Sequence, residues 1–414
     1  MEPEQRSSLT EMAPSKSDSD AASAAADTAG GPVNIQDIGA SQGLGASQEL
    51  KADPGPEPVY RGLRWIFAGS ERLRAGWSVL MFLILAILFM FPLGFLGNLI
   101  AQSVLHLKRD SFTPASAILQ ELVLVLAILG AGTILAFIER RRLFDYNLTG
   151  PRGGRHFMGG LAAGFVGLSV LVGGLALGGW LQFGPVALSG AQIFGFAALW
   201  GGCFLLVGFF EEGTFRCYLQ FTLTRGINFW WALGIEAALC LDLVLRDKGD
   251  GVWGVYGIVL LGLVPCLLLQ LRKAEGAGFW QAAWVTSTVF GFIHTSNNGE
   301  NWIGIFAAGT IGFVFCVSIW VTGSAWWAIG CHASWDWAET YFYGTADSGL
   351  PAQGHYLTTS PAGNVLWSGG TDGPEGSLLV LGVILLLLVA LLLIYGRRRV
   401  VATVAVPSLR QVEG

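Results

Sequence analysis

FMGGLAAGFVGLSVLVGGLALGG, residues Phe157 to Gly179, contains no charged side chain. At about 1.5 Å of rise per residue, a helix of this length covers the roughly 30 Å hydrocarbon core of a bilayer. Its glycines would let the backbone of a neighbouring helix approach closely, as helices packed within lipid do. Similar apolar runs fall at about 77–100, 115–138, 192–224, 229–245, 252–271, 279–296, 302–321, 325–343 and 377–395. The run at 192–224 is too long for one simple span, and those at 229–245 and 325–343 carry ionisable groups. The fold expected is therefore all-α, a polytopic transmembrane helix bundle of eight to ten spans.

Composition agrees. Of the 414 residues, 53% are apolar and 13% charged, about half the charge of an ordinary soluble domain. That leaves too little polar surface for a water-soluble globule and argues against a disordered or disulfide-stapled secreted protein. A net charge of -5 offers no clustered basic face for nucleic acid. The six cysteines all lie in or beside apolar runs without CxxC pairing, which reads as buried thiols in helix packing.

Residues 1–60 are different material, with runs such as AASAAADTAGG and ADPGPEP, and are expected to form a disordered tail. No apolar segment near the N-terminus makes a signal peptide. Residues 61–400 form the expected transmembrane helical domain, followed by a short cytoplasmic tail over 401–414. With ten spans, one side collects Arg61, Arg64, Arg72, Arg74, Arg140, Arg141, Arg142, Arg152, Arg155, Arg225, Arg272, Lys273 and Arg397 to Arg399. The other receives Lys108, Arg109, Arg246 and Lys248. The positive-inside rule then puts both termini in the cytoplasm of a multi-pass protein, with the plasma (inner) membrane the expected location.

Ionisable groups inside spans are costly and point to function. In FFEEGTFR, Glu212 and Arg216 are four apart and suited to an ion pair. Glu211, rotated about 100° away on a helix, has no obvious local partner. His294 ends the run FGFIH, and His332 is four residues before Asp336 in GCHASWD. Helix arithmetic puts Glu211, His294, His332 and Asp336 roughly 21, 24, 12 and 18 Å from the nearest cytoplasmic turn, all within the bilayer.

Glu-Glu-x-x-x-Arg (Glu211, Glu212, Arg216), Phe-x-x-x-His (Phe290, His294) and His-x-x-x-Asp (His332, Asp336), in this order on successive spans, resemble the CPBP family of intramembrane proteases. That family, also called ABI, includes the type II CAAX prenyl endopeptidases. The resemblance covers a protease-like core at about 190–345. It departs in two places: a longer interval between Arg216 and His294, filled by the extra spans of 229–271, and Asp336 where CAAX proteases more often have Asn.

The resemblance implies hydrolysis of a peptide bond at a site buried in the bilayer. Glu211 and His294 would activate a water, and His332 with Asp336 would stabilise or position the substrate carbonyl. An ionised Asp336 cannot donate a hydrogen bond as Asn does; it would instead orient His332 and stabilise its protonated form, or itself be protonated. Glu212, Arg216 and Phe290 would support the geometry. The mechanism is open between a metal-free glutamate route and a divalent metal such as zinc held by Glu211, His294 and His332; no HExxH is present. The expected partners are membrane lipid and a protein or peptide substrate, lipidated in the family's CAAX members, with no nucleic acid. Two other readings stand beside this one: an ion- or proton-coupled transporter using Glu236, Asp242, Glu211 and Glu212, and a catalytically silent membrane scaffold.

Overall fold

Among the described residues, every apolar run marked above is helical. The computed structural model describes residues 73–107, 113–246, 249–297, 299–346 and 353–396. The expected tails, 1–60 and 401–414, lie outside them.

The helices are α1 (Ala75–Ser103), α2 (Pro114–Ile138), α3 (Gly153–Leu177), α4 (Ala191–Glu212), α5 (Phe229–Arg246), α6 (Val252–Leu271), α7 (Ala277–His294), α8 (Trp302–Thr322), α9 (Trp326–Asp336) and α10 (Leu378–Tyr395). Beyond Glu212, α4 widens into a π-helical segment, Gly213–Leu219, and closes with Gln220–Thr224. The run that looked too long for one span is thus a single 34-residue helix, Ala191–Thr224. A second π-helical segment, Trp337–Tyr343, extends α9 beyond Asp336. Wide turns of this kind are rare and recur at functional sites. Here each begins immediately after an acid of the sequence motifs.

Seven helices are long and apolar enough to cross a membrane: α1, α2, α3, α4 with its extension, α6, α8 and α10. The chain is an integral, multi-pass membrane protein. The other three are richer in polar groups. Helix α5 holds Glu236 and Asp242, α7 holds Gln281, Thr286, Ser287, Thr288 and His294, and α9 holds His332 and Asp336. Outward-facing side chains of α1 and α10 are large and apolar, among them Phe91, Phe95, Leu385 and Leu393. Such surface suits lipid rather than water.

The one sheet among the described residues pairs β1 (Leu181–Val186), after α3, antiparallel with β2 (Leu357–Pro361). Its register sets Leu181 opposite Pro361 and Phe183 opposite Thr359. Residues 344–376 are polar and contain no Lys or Arg, yet their described part folds back onto the bundle through this pairing. Stacking of Trp180 on Trp367, ring centroids 4.9 Å apart, adds a second tie.

Helix α9 is short, and α3 fixes its position. Gly160 and Gly164, four apart on α3, face the backbone of α9 so closely that a methyl on Gly160 would strike the Trp327 carbonyl. One on Gly164 would strike the Cys331 carbonyl and the Ser334 hydroxyl. Gly330 of α9 lies equally close to the Phe157 carbonyl. This is small-residue packing of membrane helices, and it sets the depth at which α9 presents His332. Gly164→Ala is expected to lower stability by about 1–3 kcal/mol, the usual cost of overpacking. Thermal unfolding in detergent would measure it, and an unchanged midpoint would show that α3 and α9 are not held at this distance.

At the end of the bundle where α2 and the α4 extension finish, Glu139 is buried. It accepts from Ser78 Oγ (2.8 Å) and Arg225 Nη2 (3.2 Å) and pairs with Arg141 Nε (3.3 Å). Arg141 and Arg225, two of the basic residues on the expected cytoplasmic side, thus meet at one buried acid. All six cysteines are free thiols.

Candidate active site

Three helices far apart in sequence bring the motif residues together. Glu211 and Glu212 sit at the end of the α-helical part of α4, Phe290 and His294 on the last turn of α7, and His332 and Asp336 on α9. Helix α9 packs against α3, α4 and α8, and α7 against α8. Glu211, Phe290, His294, His332 and Asp336 line one cavity of about 210 Å³. Its remaining wall is largely apolar, with Val207 of α4, Phe315 of α8 and Ile384 of α10.

His332 is the hub. Its Nδ1 lies 2.8 Å from Glu212 Oε1. Glu212 faces Arg216, so it acts as an acceptor and the imidazole donates Nδ1–H. That contact fixes ring orientation and tautomer and leaves Nε2 pointing to the cavity. Nε2 lies 3.5 Å from Asp336 Oδ2 and 3.7 Å from Glu211 Oε2. Both separations are long for a direct bond, and a water or a substrate oxygen could bridge across them. Nδ1 of His294 bonds the Phe290 carbonyl at 2.7 Å, so its Nε2 is the nitrogen left for other work.

Glu212 and Arg216 form the ion pair the spacing suggested, with Arg216 Nε 3.2 Å from Glu212 Oε2 and both side chains fully buried. The guanidinium sits over the rings of Phe290 (4.4 Å), Phe315 (5.4 Å) and Phe215 (5.7 Å). These rings give the cation partial compensation for lost water. Phe290 therefore supports the site from two sides, under Arg216 and against the His294 ring at 4.7 Å. Sequence reasoning gave Glu212 only the pair with Arg216; its second carboxylate oxygen also holds His332, a contact invisible without the α4–α9 packing.

Two further acids belong to this region. Glu375, from the turn before α10, lines the cavity and accepts from Trp335 Nε1 at 2.6 Å. No local signal distinguishes it within a polar loop. Glu121 of α2 interacts electrostatically with Glu211. It could have been noticed as the acid inside the 115–138 run. Conversely, Glu236 and Asp242 do not line the cavity: Glu236 is buried on α5 facing Thr288, and Asp242 pairs with Arg246 at 2.9 Å.

Glu211, His294 and His332 share the cavity, and with Nδ1 of His332 on Glu212 and Nδ1 of His294 on a carbonyl, each ring is left with Nε2, the arrangement in which a second ring nitrogen is held while the first ligates. Among the described residues, no three His, Cys, Asp or Glu side chains are grouped so as to hold a metal ion.

Residues 193–338 match the family model of type II CAAX prenyl endopeptidases, Rce1-like. All seven motif residues fall inside the matched segment, which the sequence resemblance placed at about 190–345. No curated protein and no solved structure matches the chain. The matched segment is about a third of the chain, and over it the chain is similar to that family.

Proposed function

We propose that this chain is an intramembrane endopeptidase whose own residues 211–336 carry out the hydrolysis. The observation that supports this best is the convergence of Glu211, His294, His332 and Asp336 on one cavity walled by membrane helices.

Hydrolysis of an amide needs a deprotonated water, a site for the negative charge that develops on the carbonyl oxygen, and a proton for the leaving amine. Glu211, partly open to the cavity, takes the proton of a water that His294 helps to orient. The water oxygen attacks the carbonyl carbon. His332 keeps its Nδ1–H on Glu212 and, as an imidazolium with a second proton on the Nε2 that faces Glu211 and Asp336, donates Nε2–H to the oxyanion. Glu211 then passes its proton to the departing nitrogen. Glu212 holds His332 in the orientation this requires, and Arg216 holds Glu212. No step is routed through a metal. Chelator-treated protein is expected to keep its rate; a rate lost to chelation and restored by zinc would turn Glu211, His294 and His332 into ligands.

Asp336 follows from the same geometry. With Nδ1 fixed by Glu212, orientation of His332 does not depend on Asp336. Asp336→Asn is expected to retain cleavage within about tenfold, whereas His332→Ala loses it. A loss with Asn as large as with His332→Ala would make the Asp336 charge essential.

The clustering of Arg141 and Arg225 at one end supports an orientation with that end, and both termini, in the cytoplasm. Cells carrying the wild-type chain and cells carrying Glu211→Gln should differ in a defined set of membrane-protein cleavage products, read by sequencing new protein termini. Identical sets would end the protease reading. The transporter reading gains nothing from Glu236 and Asp242, which stand apart from the cavity.

A further inference from the structure

The cavity extends past the family-matched segment. Glu375 lies 37 residues beyond residue 338, yet its carboxylate reaches the same space as His332 and Asp336. Its anchor is the indole of Trp335, whose Nε1 donates to Glu375 Oε1 at 2.6 Å. Trp335 immediately precedes Asp336 and follows His332 by three residues, so the bond grips the turn of α9 that carries both.

Glu375 is itself held firmly. It sits in the turn Pro374–Gly376, where Gly376 N bonds the Gly373 carbonyl at 3.1 Å and Ser377 Oγ bonds the Pro374 carbonyl at 2.6 Å. Asn301, which caps α8, donates Nδ2 to the Gly376 carbonyl at 3.0 Å and its backbone N–H to Asp372 Oδ2 at 3.1 Å. Gly373 has φ of +94° and a methyl there would strike the Ala346 carbonyl, so the turn has one tight path. A charged acceptor fixed from the start of α8 thus meets a donor on α9. That pins the two helices across the cavity.

We infer that Glu375 is a positioning residue of the active site: through Trp335 it fixes the α9 turn bearing His332 and Asp336 and closes the cavity wall beside them. This rests on the endopeptidase reading above. It predicts dependence on the hydrogen bond rather than on the charge. Gln keeps an acceptor oxygen at the same reach, while Ala removes it.

The test uses the full chain in vesicles with a cleavable membrane-anchored peptide. Glu375→Ala should lower kcat by about 10- to 100-fold with KM little changed, the size expected when reacting groups shift by about 1 Å. Glu375→Gln should restore the wild-type rate. Trp335→Phe should match Glu375→Ala, and the two together should cost no more than either alone. A second readout needs no cleavage: diethyl pyrocarbonate modification of His332, located by mass spectrometry. It should be slow in wild type and Glu375→Gln and faster in Glu375→Ala. Equal modification rates in all three, or Gln as damaging as Ala, would overturn the inference. A wild-type protein that cleaves nothing would remove the protease reading instead, while the modification rates still decide this one.

Discussion

Glu211→Gln is expected to reduce cleavage by about a thousandfold or more while leaving the fold intact. Gln is the same size and still fills the cavity wall, but it cannot accept the water's proton or return it to the leaving amine. General-base loss alone costs about 10²- to 10⁴-fold. An oxyanion donor still acts when the base is gone, so it supplies a separate part of the acceleration. His332→Ala added to Glu211→Gln should therefore lower the rate further. Rates come from purified protein in vesicles, with unfolding midpoints as the control for fold. A Glu211→Gln variant that cleaved at the wild-type rate would remove Glu211 as the base.

Arg216→Met is expected to be the most destabilising single change near the site. Glu212 has no exposure, and its ion pair with Arg216 is buried on both sides. Deleting one partner strands the other charge in a dry interior, at a cost of about 3–5 kcal/mol. The rings of Phe290, Phe315 and Phe215 would lose the cation they surround, and His332 would lose a well-placed acceptor. Combining Arg216→Met with Glu212→Gln should recover part of the loss. Both charges are then gone, and Gln can still accept from His332 Nδ1. Unfolding midpoints of the two single variants and the pair test this. A single variant as stable as wild type, or a pair no better than Arg216→Met alone, would show that Arg216 does not neutralise Glu212.

Much of this architecture is legible in the chain because lipid imposes a simple rule: apolar runs of sufficient length become helices. Hence the boundaries read at 77–100 and 377–395 lie close to those of α1 and α10. The cluster of Glu211, His294, His332 and Asp336 was legible for a related reason, since polar groups in such runs are few and stand out. What stayed hidden depends on tertiary packing. The wide turns after Glu212 and Asp336 leave no mark in the residue pattern, and the contact of Glu212 with His332 needs the glycine-lined approach of α3 to α9. Glu375 was concealed by the opposite circumstance. An acid in a polar loop is ordinary, and only the fold-back of that loop places it at the cavity. Glu121 is legible in the same way as Glu211, as a carboxylate inside an apolar run.

The cavity wall also has a timetable. Val380 and Ile384 of α10 line it, as does Glu375 just before that helix. All three are synthesised after Glu211, His294 and His332. The helices bearing the two histidines, α7 and α9, are not among the seven described helices long and apolar enough to cross a membrane. A ribosome that has made everything through Asp336 has therefore produced every group assigned to the chemistry, but not the enclosure in which they could work. On the reading proposed above, the enclosure is completed only when α10 and the turn before it are in place.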